Sequence, residues 1–134
     1  MTRVMVAEGS RFSRGVLRNY LEMAGCEVLE AADSAGVLKI LRLHRVDVLL
    51  ASLDLPGMDV YELMRQVRTD LGLYELRMIA LSRESKDRSS PAAEDDPFDD
   101  YQDELDRESM LQSVTQLTRA IESRQEARVE VLTT

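Results

Sequence analysis

Short apolar runs alternate with segments of helical periodicity through most of the chain, and this alternation constrains the fold more than any other feature. The runs are rich in Val, Ile, Leu and Met, as strands buried on both faces are. They lie at 3–7, 27–31, 46–52 and 77–82. Since strand and helix alternate from Arg3 to Ser82, the sequence predicts an α/β fold, a doubly wound parallel sheet with right-handed crossovers.

Apolar residues three and four positions apart predict which helix faces pack onto the sheet. The first stripe consists of Phe12, Val16, Leu17, Tyr20, Leu21 and Ala24, and the second of Val60, Leu63, Met64, Val67 and Leu71. Gly25 stands where the first helix needs a left-handed residue at its end. Ser34 is predicted to cap the N-terminus of a shorter helix that carries Val37, Leu38 and Leu41.

The alternation stops after Ser82, because residues 83–97 hold eight charged residues and two prolines. No apolar helix face can be drawn there, so the fourth helix is predicted to be missing or broken. Residues 98–102 are consistent with a short edge strand. Asp106 then caps a last helix, with its apolar face formed by Met110, Leu111, Val114, Leu117 and Ile121. We predict one domain over 1–121 and a C-terminal tail over 122–134, which is either frayed or a strand with one charged face.

Composition excludes several classes of function. The formal net charge of -8 opposes binding to phosphate backbones and anionic membranes, so neither nucleic acid nor a membrane is an expected partner. The single cysteine, Cys26, forms no internal disulfide, and with the single histidine, His44, it builds no familiar zinc site. No apolar run approaches the roughly 18 residues of a membrane span, and 3–7 is too short for a signal-peptide core. A soluble, cytoplasmic protein is expected.

Ligands of doubly wound sheets bind at the carboxyl ends of the strands. Ser52 ends the third run, directly before the loop "LDLPGMD" at 53–59. This loop, the order of elements and the segment "RFSRGVLRNYLEMAG" resemble the receiver domains of two-component response regulators. The phrases "SRFSRGVLRNYLEMAGCEVLEAADS" and "FDDYQDELDRE" are most similar to the receiver modules of chemotaxis hybrid histidine kinases. The resemblance implies a CheY-like sheet of five parallel strands in the order 2-1-3-4-5.

The resemblance also implies a phosphorylation site, which this sequence has largely lost. The family uses a phosphoacceptor aspartate, an acidic pair for Mg²⁺, a hydroxyl, a lysine and a switch aromatic. Here the phosphoacceptor position is Ser52, and the acidic pair is Ala7 with Glu8. The hydroxyl position is Ser82, the lysine position is Glu104 and the switch aromatic is Tyr101. The usual Lys-Pro peptide is replaced by Glu104-Leu105.

These substitutions remove the chemistry of phosphoryl transfer, which needs a carboxylate nucleophile and a metal ion. Glu104 also places a negative charge where the family presents an ammonium group. We therefore expect no enzymatic activity, no catalytic residue, no metal ligand and no cofactor, with Mg²⁺ binding lost. The predicted function is a pseudo-receiver that binds partners without phosphorylation in a two-component or chemotaxis-type pathway.

The expected partner is a signalling protein such as a histidine kinase or a chemotaxis component, with a homodimer as a further expectation. Tyr101, Gln102 and Glu104 are the predicted partner-binding residues, although Tyr101 is equally consistent with a half-buried residue of an edge strand. Two alternatives stay open. One is a phosphoaccepting receiver with an atypical site, which uses Asp54 or recruits a cation through Glu8, Asp54 and Glu104. The other is a structural dimerisation domain.

Overall fold

The computed structural model of the protein describes residues 1–82 and 96–103, and ten positions of a C-terminal helical segment. Those positions are 108, 109, 111, 112, 114–116, 119, 120 and 122, and all are helical. The strands are β1 (Arg3–Ala7), β2 (Glu27–Ala31), β3 (Val48–Ser52), β4 (Arg77–Ser82) and β5 (Asp100–Asp103). The helices are α1 (Arg11–Met23), α2 (Ser34–Leu43) and α3 (Val60–Thr69).

The five strands form one parallel sheet in the order β2-β1-β3-β4-β5, which confirms the predicted fold. The bounds of β1, β2 and β4 are those predicted, whereas β3 begins two residues later, at Val48. The edge strand predicted at 98–102 lies at Asp100–Asp103. The carboxyl ends of β1, β3, β4 and β5 reach the same edge of the sheet, as the predicted site requires.

Helices cover both faces of the sheet, so β3 is buried along its whole length, and β1 and β4 are buried except at their first residues. One core layer lies under α2 and α3 and contains Met5, Leu49, Met78, Val37, Leu63 and Met64. The other lies under α1 and the C-terminal helical segment and contains Val6, Leu50, Ile79, Leu17, Leu21 and Val114. This two-sided burial explains why the strand sequences are continuous apolar runs rather than alternating ones.

The predicted core face of α3 is confirmed, but that of α1 is partly wrong. Leu17 and Leu21 are buried, whereas the side chain of Phe12 is 79% exposed. Phe12 precedes Leu21 by nine residues, which is two and a half turns at about 3.6 residues per turn, so the two side chains point in opposite directions. Ala24 is also exposed, since it lies at the C-cap beyond the end of the helix.

The start of α2 differs from its prediction by one residue. Asp33 is the N-cap, and its Oδ1 accepts a hydrogen bond from the backbone N–H of Gly36 at 2.8 Å. Ser34 is therefore the first residue of the helix rather than its cap, and its hydroxyl makes a different contact, described below. Gly25 follows α1 with φ of +88°, as predicted for a left-handed helix terminus.

Several predictions concern positions outside the described residues. These are the interruption of the fourth helix over 83–95, the cap at Asp106, the residues Met110, Leu117 and Ile121, and the tail from 123 onward. Val114, which belongs to the same predicted helix face, is fully buried in the core layer of α1. The part of the last helix that is described thus packs as its periodicity predicts.

Candidate functional site at the carboxyl edge of the sheet

Four of the predicted site positions come together where the central strands end. Ala7 pairs in register with Ala51, so Glu8 and Ser52 leave the sheet side by side. Ser52 pairs with Leu81, directly before Ser82. All four positions, Ala7, Glu8, Ser52 and Ser82, are buried. The strand register therefore assembles the positions that the sequence indicated.

Glu104, the lysine position, lies outside the described residues, but β5 ends immediately before it. Asp103 is the last residue of this strand and pairs in register with Ser82. It is half-buried at the same edge of the sheet. The sequence interpretation missed Asp103, although its position at the end of the edge strand was the signal that could have identified it. An acidic residue thus stands next to the hydroxyl position.

Ser52 is 1% exposed, and its hydroxyl is used within its own loop. Its Oγ accepts a hydrogen bond from the backbone N–H of Asp54 at 3.2 Å, and its carbonyl oxygen accepts one from Leu55 at 3.1 Å. A serine becomes a useful nucleophile when a neighbouring base removes its proton. A backbone N–H is a hydrogen-bond donor and cannot serve as that base. The contact therefore assigns Ser52 a role in shaping the turn.

Glu8 is the one carboxylate among the four converging positions. Its Oε1 accepts a hydrogen bond from the backbone N–H of Ser10 at 3.0 Å. The carbonyl oxygen of Glu8 accepts one from the Arg14 guanidinium at 2.9 Å, and Arg14 also contacts Glu30 at 3.2 Å. These bonds hold the β1–α1 connection against the neighbouring strand β2. Glu8 is accordingly part of the local structure as well as a site residue.

The donor set offers little to a divalent cation. Mg²⁺ needs a compact shell of oxygen atoms, usually with more than one carboxylate, and the acidic pair is here reduced to Glu8 beside Ala7. Asp54 is exposed on the loop after β3. In the part of the chain that the structure describes, no group of three His, Cys, Asp or Glu residues is arranged to hold a metal ion. At the acidic-pair positions, the described residues thus supply one carboxylate, that of Glu8.

The loop from Leu53 to Asp59, here called the β3–α3 loop, is held from two sides. On one side, Ser34 of α2 bonds to it: the backbone N–H of Ser34 donates to the carbonyl oxygen of Pro56 at 3.0 Å, and Met58 N–H donates to Ser34 Oγ at 3.0 Å. On the other side, the ring of Pro56 packs close to Gly9. Sequence reasoning missed the role of Ser34, because its contacts lie more than 20 residues away in the chain.

Tyr101 lies in an aromatic cluster that joins β5 to α3. Its hydroxyl donates to Asp96 Oδ2 at 2.5 Å and lies 3.5 Å from the hydroxyl of Tyr61. Phe98 packs against both rings, with centroid distances of 5.6 Å to Tyr61 and 5.7 Å to Tyr101. Burial, together with the hydrogen bonds to Asp96 and Tyr61, raises the pKa of Tyr101 well above its ordinary value. Tyr101 is half-buried on an edge strand, which favours the second of the two interpretations of this residue.

Gln102, a predicted partner-binding residue, is half-buried on β5. Its side-chain amide donates to Asp100 Oδ2 at 2.7 Å. Its side chain therefore already has a hydrogen-bonding neighbour on its own strand.

Arg68 of α3 is a further residue that sequence reasoning missed. Its side chain is 15% exposed and connects the end of α3 to the chain entering β5. The guanidinium donates to the carbonyl oxygens of Leu73, Tyr74, Leu76 and Pro97 and to the carboxylate of Asp99. Since carbonyl acceptors leave no trace in the side-chain pattern, no sequence signal identified this network.

Residues 4–115 match the family model described as response regulator receiver domain. The chain belongs to this family. It is 40% identical over 68 residues to the transcriptional regulatory protein YxdJ of Bacillus subtilis, a match that covers 51% of this chain and 30% of that protein. The chain thus spans less than a third of the length of this curated relative. The family match makes it a receiver domain of two-component signalling.

Solved structures show the same fold in this receiver domain family. The chemotaxis response regulator CheY4 of Vibrio cholerae is 22% identical with a TM-score of 0.73, over 85% of this chain and 98% of that one. TrrA from Thermotoga maritima, in complex with Mg²⁺-BeF, is 21% identical with a TM-score of 0.76, over 87% and 99%. A response regulator from Clostridium difficile is 18% identical with a TM-score of 0.79, over 90% and 98%.

The described part of this receiver domain contains no helix long and apolar enough to cross a membrane.

Proposed function

We propose that this receiver domain is a pseudo-receiver, which acts as a protein–protein interaction module without being phosphorylated. The observation that carries the proposal is the state of Ser52. It occupies the phosphoacceptor position, is 1% exposed, and its hydroxyl accepts a hydrogen bond from the N–H of Asp54. The position that would react with a phosphodonor is thus occupied by a buried side chain engaged in a turn.

The neighbouring residues support the same conclusion. Transfer to an aspartate relies on a metal ion that neutralises the phosphoryl oxygens. Ala7 supplies no ligand, and Glu8 alone leaves the shell incomplete. Asp103, at the end of β5, adds negative charge to this edge of the sheet, and Glu104 follows it in the sequence; this charge opposes an incoming phosphate. The Mg²⁺-BeF complex described for TrrA is therefore one that we expect this chain not to form.

The partner surface in this proposal is centred on β5, with Tyr101, Gln102 and Glu104. Receiver domains interact with signalling proteins such as kinases, and the resemblance to modules of chemotaxis hybrid kinases favours a histidine kinase or a chemotaxis component. Tyr101 is half-buried in its aromatic cluster, so in this proposal a partner contacts only the exposed part of its side chain. A homodimer through this surface is the third arrangement, and a mass that rises with concentration would detect it.

Intact-protein mass spectrometry tests the proposal. The chain is incubated with acetyl phosphate in millimolar Mg²⁺, and we expect its mass to remain unchanged. A receiver domain that retains the family's phosphoacceptor aspartate provides a positive control. Stoichiometric gain of a phosphoryl group on any residue of 47–59 would contradict the proposal.

Two variants refine this experiment. Since Asp54 is exposed beside the site, Asp54→Asn tests the atypical phosphoacceptor: loss of an observed modification in this variant would establish Asp54 as its target. The triple variant Ala7→Asp, Ser52→Asp and Glu104→Lys restores the family residues. We expect it to regain Mg²⁺ binding, measured by tyrosine fluorescence because the chain has no tryptophan.

A further inference from the structure

The β3–α3 loop is fastened to α2 by one residue. Ser34, the first residue of that helix, is buried and makes two hydrogen bonds to the loop. Its backbone N–H donates to Pro56 O, and its Oγ accepts from Met58 N–H, both at 3.0 Å. Because a single residue supplies both the donor and the acceptor, the loop and the start of α2 are linked at two successive points around Gly57.

Glycine makes this approach feasible. Gly57 has φ of +103°, and a Cβ added there would lie 2.2 Å from Ser34 Oγ, which is shorter than a van der Waals contact allows. On the opposite side of the loop, a Cβ added to Gly9 would lie 2.8 Å from Pro56 Cδ. The loop is thus enclosed between the β1–α1 connection and α2, with no room for an added methyl group at either contact.

We propose that Ser34 is a positioning residue that latches the β3–α3 loop to α2, so that the degenerate site keeps one conformation without phosphate or metal. This regulation concerns the same site and rests on the proposed phosphorylation-independent function. The latch consists of two neutral hydrogen bonds, one between the backbone groups of Ser34 and Pro56 and one from Met58 N–H to the Ser34 hydroxyl, and neither involves an ionisable side chain. Through these two bonds, α2 positions the loop from the side opposite the β1–α1 connection.

Amide hydrogen exchange on the whole chain tests the latch. In Ser34→Ala the N–H of Met58 loses its acceptor, and we expect its exchange to accelerate about tenfold, as loss of one hydrogen bond implies. Exchange at Val6 and Leu50 in the central strands stays unchanged. Ser10→Ala is the matched control, because Ser10 Oγ also accepts a hydrogen bond from a backbone N–H, that of Ser13 at 3.3 Å, but at the N-cap of α1. It leaves Met58 unaffected.

Unchanged exchange of Met58 in Ser34→Ala would overturn the latch. Acceleration by the same factor at Met58, Val6 and Leu50 would also overturn it, because that result would show a purely global loss of stability. A second variant, Gly57→Ala, forces the loop away from Ser34, and we expect it also to accelerate exchange at Met58. Wild-type exchange is then measured with Mg²⁺ alone: slower exchange of Met58 would overturn the independence from metal. Phosphorylation in the mass experiment would overturn the proposed function instead, so the two failures are distinguishable.

Discussion

Ser52 and Glu8 leave adjacent strands next to each other, and both side chains are buried. The substitution Ser52→Asp would therefore place a second carboxylate in a site that already holds one. Burial and the like charge both disfavour ionisation of the new group, so its pKa in the folded protein rises above the value of about 3.9 in the unfolded chain. We expect a loss of about 1–3 kcal/mol in the free energy of unfolding at pH 7.

The sign of the pH dependence follows from this raised pKa. The folded protein binds the proton more tightly than the unfolded chain, so the penalty is present at pH 7 and declines as the pH falls through the folded pKa. Urea unfolding at pH 7 and pH 5 measures it. Ser52→Asn is the control, since it has the same size without the charge. An equal cost for both variants at both pH values would show that charge at this position is not the cause.

At the scale of an element, Arg68 joins α3 to the approach of β5 through its bonds to four carbonyl oxygens and to Asp99. Arg68→Met keeps the apolar stem and removes every donor, which leaves these partly buried carbonyl groups without their partner. We expect a loss of about 2–4 kcal/mol in the free energy of unfolding, measured by urea denaturation. An unchanged free energy of unfolding in Arg68→Met would contradict the role assigned to this network.

Arg65, one turn earlier on the same helix, provides the matched control. Its side chain is 43% exposed, and its contact with Glu62 is a surface ion pair at 3.7 Å. Such pairs contribute about 0–1 kcal/mol, so Arg65→Met should cost less stability than Arg68→Met, which removes five hydrogen bonds.

Comparison of the strands and helices with their predictions shows which structural features could be predicted from the sequence. Strand positions could be predicted because successive residues such as Leu49 and Leu50, which face opposite core layers, are both apolar. Helix α3 could be predicted because its apolar stripe has the period of a helix. Phe12 was misassigned because a single exposed aromatic residue near the start of a helix can be fitted to an apolar stripe. The cap of α2 was misplaced because Asp33 and Ser34 are both good capping residues.

Some features of the candidate site could likewise be predicted from the sequence, and others could not. Convergence of Ala7, Ser52 and Ser82 could be predicted, because parallel strands end at one edge. The latch at Ser34 could not, since a hydrogen bond between a helix start and a distant loop has no periodic signature. Arg68 escaped prediction for the same reason: four of its acceptors are backbone groups, which every residue has.

At the scale of the whole molecule, the charge is unevenly distributed. Nine acidic residues and one arginine lie between Glu94 and Glu108, so this stretch accounts for the full formal net charge of -8 and the rest of the chain is neutral. The described part of the stretch contains β5, which stands last in the sheet order and pairs only with β4 among the described strands. Asp99, Asp100 and Asp103, three described acidic residues of this stretch, lie on or directly before this edge strand.

This arrangement bears on colloidal behaviour. An open strand edge is a template on which a second sheet can grow, and like charges on both edges keep two molecules apart. We expect the protein to stay dispersed at pH 7 and to associate when the pH is lowered toward the isoelectric point of about 4.7, where the net charge vanishes, with light scattering as the measure. Asp100→Asn with Asp103→Asn should induce scattering already at neutral pH, whereas Asp33→Asn, remote from this edge, should not. If the double variant scatters no more light than the wild type, these two aspartates are not what prevents association. If it does scatter more, they keep the protein from forming aggregates in which the sheet extends from one molecule to the next.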